Sequence, residues 1–272
     1  MSLIAATRSE TTKQFSTSMW WVLAIVFVLY VGSSAGALGF VFAASASGSL
    51  PGEAPQLPES DIAQVLYSAA TSLGYVFPLL IGTLLVTGEF RHKTLTPTFL
   101  AVPRRGRVLW AKLIASVPLG VLYGALGVIS AVGPSAALLA AYGLDTELDV
   151  ADTWAMIGRM MLATLLWVFV GIGVGSLVRN QVGAIVGVLV FTQFIEPIAR
   201  TAAAFVEGMT AFTQYLPGAA SDALVGASVL TMAAAGSAVS SLEWWAGGLV
   251  LLGYATALLA LGALFSWRRD VS

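Results

Sequence analysis

The feature that most constrains this chain is a set of long apolar stretches that are almost free of charged residues. A helix needs about 20 mostly apolar residues to cross the roughly 30 Å hydrocarbon layer of a membrane, since it rises about 1.5 Å per residue. Six stretches reach this length, and we predict helices in all of them because lipid cannot satisfy the open edge of a strand. They are residues 19–43, 67–86, 113–132, 160–178, 181–205 and 244–267.

The composition leads to the same class of protein. Of the 272 residues, 58% are hydrophobic and only 10% are charged, against roughly 25% charged residues in soluble domains. So few charges cannot solvate the surface of a soluble fold of this size. The net charge of −1 provides no basic field for nucleic acid, so we expect no nucleic-acid partner. The absence of cysteine excludes disulfides and thiolate metal ligands.

Two stretches make the number of spans ambiguous. Residues 113–144 are too short for two spans and contain Pro134, so we predict one span followed by a short interfacial helix. Residues 223–239 are apolar and uncharged, and they are long enough to be considered as a seventh span. The distribution of basic residues decides between six and seven spans.

Lysine and arginine favour the cytoplasmic ends of transmembrane helices. With six spans and both termini in the cytoplasm, all basic residues lie inside except Arg159 and Arg200. A seventh span would instead expose Arg268 and Arg269 on the outer side. We therefore predict an all-α integral membrane protein with six transmembrane helices and cytoplasmic N- and C-termini.

The whole chain, residues 1–272, is predicted to form one transmembrane domain. Residues 1–18 mix apolar and charged side chains and are predicted to form an amphipathic interfacial helix on the cytoplasmic face. Residues 87–112 form a cytoplasmic loop, and residues 206–243 form an external region of short helices between spans five and six.

The sequence lacks the motifs of several enzyme classes. No G-x-x-x-x-G-K-[ST] loop occurs, so the chain is not expected to bind nucleotide phosphates itself. The only histidine, His92, stands between Arg91 and Lys93, where a metal cation would be repelled. We predict no metal site, no bound cofactor and no catalytic residues in this chain.

The densest polar segment lies between spans two and three, and its residues carry a specific resemblance. They include Glu-Phe-Arg-x-x-Thr-Leu-Thr at 89–96, Phe-Leu-x-x-Pro-Arg-Arg at 99–105 and Ala-Lys at 111–112. This pattern resembles the type-2 family of ABC transporter permeases, which has six spans, cytoplasmic termini and this loop in this place. Tyr-Leu-Pro-Gly at 215–218, followed by Asp-Ala-Leu at 222–224, resembles actinobacterial members of that family. Lys93 stands where many relatives have glycine.

The resemblance implies a transmembrane subunit of an ATP-driven exporter in the bacterial plasma membrane. Its partners would be two copies of a separate ABC ATPase subunit, which bind ATP and Mg, and a second permease subunit. We expect a homodimer, with a heterodimer left open. The chain would also contact membrane lipid and a small-molecule, peptide or lipid substrate.

In relatives the loop after span two contains a short coupling helix that contacts the ATPase. Here that helix would cover residues 94–100 and end at Pro103. Apolar side chains could fill an ATPase groove, while Glu89 could pair with basic residues of the N-terminal segment or the loop. The predicted coupling residues are Glu89, Thr94, Leu95, Thr98, Phe99 and Leu100. Four further basic residues are predicted to anchor the loop to anionic lipid, with ATPase docking as the alternative: Arg104, Arg105, Arg107 and Lys112.

Glycine pairs separated by three residues allow close helix packing, and we interpret them as packing contacts rather than as a substrate conduit. The pairs are Gly32/Gly36, Gly120/Gly124, Gly171/Gly175 and Gly183/Gly187.

Glu196 lies about 22 Å along span five, where a lone carboxylate is costly. Arg200 follows four residues later on the same helical face, so we predict an ion pair between the two. Pro197 frees the carbonyl of Gln193 and is expected to start a break in the helix. In relatives the substrate path lies between the two permeases, along spans two and five. By that resemblance the lining residues would be Tyr75, Phe77, Gln193, Glu196 and Arg200.

Two other classes of function stay open. An ion-coupled secondary carrier or channel would need a charged group near the membrane midplane or broken helices in repeated halves. A membrane scaffold or immunity subunit without transport activity would fit the composition but leaves the polar loop unexplained.

Overall fold

The structure is a computed structural model that describes residues 2–46, 59–94, 98–100, 105–203, 205–206, 208–229 and 242–266. Within these ranges all regular structure is helical and no strand occurs. Six helical segments are long and apolar enough to cross a membrane, so the chain is a multi-pass membrane protein. The six predicted spans are confirmed, and each corresponds to one helical segment. The spans are Met19–Ala46, Ile62–Arg91, Gly106–Ala141, Ala151–Leu177, Gln181–Ala202 and Trp244–Phe265.

Twelve α-helices are defined over the described ranges, with short π-helical turns in spans five and six. The helices are α1 (Leu3–Ser16), α2 (Met19–Ala46), α3 (Glu59–Tyr67), α4 (Ala69–Ser72), α5 (Val76–Arg91), α6 (Arg105–Ala141), α7 (Ala151–Leu177), α8 (Gln181–Val190), α9 (Glu196–Ala202), α10 (Thr210–Thr213), α11 (Pro217–Val225) and α12 (Trp244–Leu261). The π-helical turns are Phe191–Ile195 and Gly262–Ser266.

Span three differs from its prediction. Helix α6 is continuous over 37 residues and contains both Pro118 and Pro134. The expected interfacial helix after Pro134 is therefore wrong. A helix of this length extends about 55 Å, well beyond the roughly 30 Å hydrocarbon layer. Proline is tolerated inside transmembrane helices because neighbouring helices and local adjustments can satisfy the freed carbonyl.

Spans two and four form the centre of the bundle, and glycine sets their separation. A Cβ atom on Gly82 would lie 2.2 Å from the carbonyl oxygen of Val168, and one on Gly171 would lie 2.2 Å from that of Leu79. A Cβ atom on Gly175 would lie 2.5 Å from the carbonyl oxygen of Thr83. Such contacts allow no side chain, so the packing role predicted for Gly171/Gly175 is confirmed.

The other glycine pairs divide into two kinds. Gly120 and Gly124 contact Leu165 and Met161 of span four, while Gly32 and Gly36 contact span three at ordinary van der Waals distance. Gly183 meets only its own cap residue, and no atom of the described chain lies within 4 Å of a Cβ on Gly187. The prediction of packing within the chain is therefore wrong for Gly183/Gly187, because span five lies at the edge of the bundle.

Helix α1 packs along span three at one end of the bundle. Its buried face repeats every four residues and carries Ala6, Glu10 and Gln14, whereas Ile4 is 82% exposed. The predicted N-terminal helix is thus present, and the face that it turns toward the protein is polar. This end also holds the exposed Arg91, so we refer to it as the basic end.

At the opposite end, the region between spans five and six contains the short helices α10 and α11. Helix α11 is buried along its whole length and packs against α4, α7 and α12. It ends at Gly226, whose φ of +91° closes the helix in the left-handed region. Residues 230–239 of the apolar stretch considered as a seventh span lie outside the described residues.

Candidate functional site

Four charged side chains from three helices meet at the basic end. Glu10 and Lys13 lie three residues apart on α1, Glu89 is in the last turns of α5, and Lys112 is near the start of α6. Lys112 Nζ lies 2.6 Å from Glu10 Oε2, and Lys13 Nζ lies 2.6 Å from Glu10 Oε1. Both ammonium groups also lie 3.2 Å from Glu89, one at each carboxylate oxygen. We call these four residues the ionic cluster.

The ionic cluster is electrically balanced and mostly removed from water. The side chains of Lys112, Glu10 and Glu89 are only 2%, 5% and 10% exposed, whereas that of Lys13 is 42% exposed. Lys112 also donates to the carbonyl of Leu85, at 3.3 Å. The approach of Lys112 to Glu89 is a charge contact rather than a hydrogen bond, because Glu89 Oε2 accepts no hydrogen bond. The two acids and two bases therefore depend on one another for compensation.

Burial and pairing act in opposite directions on the protonation of the cluster. Burial by itself would raise the pKa of Glu10, but the charges and hydrogen bonds of Lys112 and Lys13 outweigh it and hold that pKa below its usual value of 4.5. Burial would likewise lower the pKa of Lys13, whereas Glu10 and Glu89 raise it above its usual 10.5. Glu10 and Lys13 are thus both charged near neutral pH.

The loop after span two is attached to this cluster through Thr98. Lys13 Nζ lies 3.2 Å from Thr98 Oγ1, which in turn donates to the carbonyl of Thr94 at 2.8 Å. The backbone N–H of Thr94 donates to the carbonyl of Glu89. The prediction that Glu89 pairs with basic residues of the N-terminal segment or the loop is confirmed, by Lys13 from the first and Lys112 from the second.

The other predicted coupling residues divide by exposure. Residues 98–100 are helical; Phe99 is half-buried against the core, whereas Leu100 is 80% exposed. Leu95 lies outside the described residues. Of the two described apolar side chains expected to contact a partner, Leu100 thus lies on the surface and Phe99 packs inward.

The four basic residues predicted to anchor the loop have different positions. Arg107 is exposed and suits that role. Arg104 lies outside the described residues, as does the side chain of Arg105, although its backbone belongs to α6. For Lys112 the prediction is wrong, because its ammonium group points into the ionic cluster rather than toward lipid. The prediction failed because α1 covers this part of α6, and no local pattern shows that contact.

A second set of buried polar contacts lies where span five meets α11. Arg200 Nη2 pairs with Asp222 Oδ2 at 2.7 Å. Glu196, only 1% exposed, accepts the backbone N–H of Ala219 at 3.1 Å, close to the start of α11. The predicted ion pair between Glu196 and Arg200 is therefore wrong. The two side chains share a face of the helix, as expected, but α11 lies against that face and supplies a separate partner for each.

Gly218 makes the contact of Glu196 with α11 possible. A Cβ atom at this position would lie 2.6 Å from Glu196 Oε1. The other oxygen, Glu196 Oε2, has no hydrogen-bond partner among the described residues. Glu196 thus takes the place of a side-chain cap at the N-terminal end of α11.

Asp222 is the centre of this second set, and sequence reasoning missed it. It accepts hydrogen bonds from Ser72 at 3.0 Å and from Ser228 at 2.7 Å, besides the ion pair with Arg200. Its neighbour Ser221 accepts the indole N–H of Trp167 at 3.0 Å. The sequence signal was a lone acid inside an apolar stretch, which we had interpreted as part of an external loop.

The side chains predicted to line a substrate path do not share one surface. Tyr75 is 5% exposed, stacks on Trp167 with ring centroids 4.6 Å apart, and donates to the carbonyl of Thr192 in span five. Phe77 is half-buried against aromatic rings of span one. The side chain of Gln193 is exposed at the surface of the helix bundle, on span five.

Pro197 alters span five without ending it. The residues before it form a π-helical turn, in which the N–H of Glu196 bonds to the carbonyl of Phe191. Helix α9 then continues to Ala202. The expected break is therefore a local widening, which accommodates the proline ring while the helix persists.

Neither a protein-family model nor a curated protein sequence matches the chain. What the structure establishes about function is thus its general class: six apolar helices that fit a transporter-like multi-pass membrane protein.

Proposed function

We propose that the chain is the transmembrane permease subunit of an ATP-driven ABC exporter. The observation that carries the proposal is the attachment of the loop after span two to the ionic cluster. A coupling segment must transmit a displacement to the transmembrane helices without changing its own conformation. Residues 98–100 meet this need because Thr98 contacts Lys13, which is bound in turn to Glu10 and Glu89.

The physical basis of transmission is the cost of separating the cluster. Removing one partner from a buried set of charges typically costs about 3–5 kcal/mol. A force applied at Leu100, the exposed end of this segment, would therefore move α1, span two and span three together rather than bend the loop alone.

The backbone of Lys93 gives independent support. Its φ is +53°, in the left-handed region that favours glycine. This is the position at which many members of the permease family that the loop resembles carry glycine. The loop thus makes the same kind of turn with a different residue.

In this proposal ATP and Mg bind to two separate ATPase subunits, and the chain itself has no enzymatic activity. A second permease, in the simplest case an identical copy, completes the substrate path in the bacterial plasma membrane. The basic end would face the cytoplasm, as the distribution of basic residues predicts.

The test is co-purification in mild detergent with the ATPase encoded nearest to this chain, followed by ATP hydrolysis and transport assays. Thr98→Val removes only the hydroxyl that Lys13 contacts. We expect it to lower transport severalfold while ATPase binding persists, because the contact with Leu100 is unchanged. The matched control is Thr12→Val on the exposed side of α1, which should leave both activities unchanged.

Two results would contradict the proposal. One is the absence of a complex with any candidate ATPase. The other is unchanged transport by Thr98→Val together with Leu100→Ala, since these substitutions alter both the internal and the exposed side of the segment.

An ion-coupled secondary carrier is the second candidate, and Glu196 favours it. This carboxylate is buried in span five beside a π-helical turn, and one of its oxygens has no hydrogen-bond partner among the described residues, as a carrier of protons or cations would require. In that case a protonophore would stop transport in vesicles that contain no ATP. An ABC exporter would instead need ATP and its ATPase under the same conditions.

A further inference from the structure

An open cavity of about 510 Å³ lies at the basic end, where spans two, four and five meet. It takes no part in the ionic cluster or in the α11 contacts. Six of the described residues line it, two of them arginines and none of the six acidic: Phe90, Arg91, Arg179, Asn180, Gln181 and Val182.

The polar part of the cavity suits an anionic group with several oxygens. Arg91 Nη1 lies 3.4 Å from Gln181 Oε1, so its guanidinium is held at the cavity by only a long hydrogen bond. Arginine presents several N–H donors in a planar fork that matches phosphate oxygens. Helix α8 starts at the same place, with Asn180 accepting the N–H groups of Val182 and Gly183, and its dipole adds further positive potential.

An apolar surface continues from the cavity along span five. Val182, Val186 and Val190 follow one another at intervals of four residues and are 66%, 52% and 42% exposed. Beside them, Gly187 leaves open space, since no described atom lies within 4 Å of a Cβ at that position. A soluble anion would use the arginines but not this surface, whereas a lipid uses both.

We propose that this cavity binds the phosphate headgroup of an anionic phospholipid, with one acyl chain along the valine face of span five. The phosphate then contacts the positively charged part of the cavity, and the acyl chain contacts the apolar valine side chains. Basic pockets between transmembrane helices are suited to anionic headgroups. The proposal does not depend on the export function, because it concerns lipid that the chain binds by itself.

The experiment measures retained lipid on the purified full-length chain by native mass spectrometry, using phosphatidylglycerol in competition with phosphatidylcholine. We expect Arg91→Gln to weaken phosphatidylglycerol binding by about fivefold, the contribution of one basic residue near a membrane surface. The matched control is Arg8→Gln, which removes one exposed positive charge outside this cavity. The control should retain the wild-type preference.

Three outcomes would overturn the proposal. Equal loss of phosphatidylglycerol in the cavity and control variants would show general attraction of anionic lipid. Displacement of phosphatidylglycerol by millimolar glycerol phosphate would show a site for soluble phosphate. Unchanged phosphatidylglycerol binding by the cavity variant would show that the cavity does not hold the headgroup.

Discussion

Lys112→Met tests the ionic cluster most directly. The substitution keeps an unbranched side chain of similar length but removes the ammonium group that lies 2.6 Å from Glu10 and 3.2 Å from Glu89. It converts a balanced set of two acids and two bases into one with an uncompensated negative charge. Since Lys112 is only 2% exposed, water cannot replace it.

The expected loss follows from the buried charge that remains. Breaking a buried ion pair by removing one partner costs about 3–5 kcal/mol, because the other partner keeps its desolvation penalty. The donation to the carbonyl of Leu85 is lost as well. We therefore expect the free energy of unfolding to fall by about 3 kcal/mol or more.

The assay is reversible unfolding in mixed micelles, followed by tryptophan fluorescence. Arg107→Met is the matched control, because Arg107 lies on the same helix and is exposed; its effect should stay within about 0.5 kcal/mol. The double variant Lys112→Met, Glu10→Gln restores charge balance by leaving Lys13 paired with Glu89.

Restored balance should make the double variant more stable than additivity predicts, by about 1–3 kcal/mol. The reasoning is refuted if the two losses simply add, or if Lys112→Met costs no more than Arg107→Met. Either result would mean that the cluster is solvated and cannot transmit force.

Three further predictions concern protonation and the second polar site. Because the folded-state pKa of Glu10 is lowered, its contribution to stability is complete above about pH 4.5 and is lost as the pH falls through the folded pKa; Glu10→Gln should flatten an acid unfolding titration in that window. Gly218→Ala should lower the melting temperature, corresponding to a loss of about 1–3 kcal/mol, because its Cβ would lie 2.6 Å from Glu196 Oε1. In double-mutant cycles, Arg200→Ala and Asp222→Ala should be coupled by about 1–3 kcal/mol, more strongly than Arg200→Ala and Glu196→Ala.

Each of these three predictions has a control variant or a result that would contradict it. Thr12→Val should leave the acid titration unchanged, since Thr12 is exposed and uncharged. Gly253→Ala should leave the melting temperature nearly unchanged, because no described atom lies within 4 Å of its Cβ position. Stronger coupling of Arg200 to Glu196 than to Asp222 would restore the original prediction of an i, i+4 ion pair.

The sequence by itself determined the class of fold. The length of an apolar stretch is a local property, and the membrane thickness converts it directly into a span. All six spans were therefore predicted, although α6 continues through Pro134 because the loss of one backbone hydrogen bond does not end a helix packed among others. The pairing of Glu89 with basic residues of the N-terminal segment or the loop was also predicted without a choice between the two, and the structure shows one partner from each, Lys13 and Lys112.

Only the tertiary structure decided which charges meet. Helical periodicity placed Glu196 and Arg200 on one face, but the position of α11 gave them Ala219 and Asp222 as partners. Likewise α1 covers α6 and turns Lys112 from a predicted lipid anchor into the centre of the ionic cluster. The physical reason is common to both sites. A buried charge is stabilised by whichever opposite charge or backbone dipole is nearest in space, and residues distant in the sequence supply that neighbour only once the helices have packed.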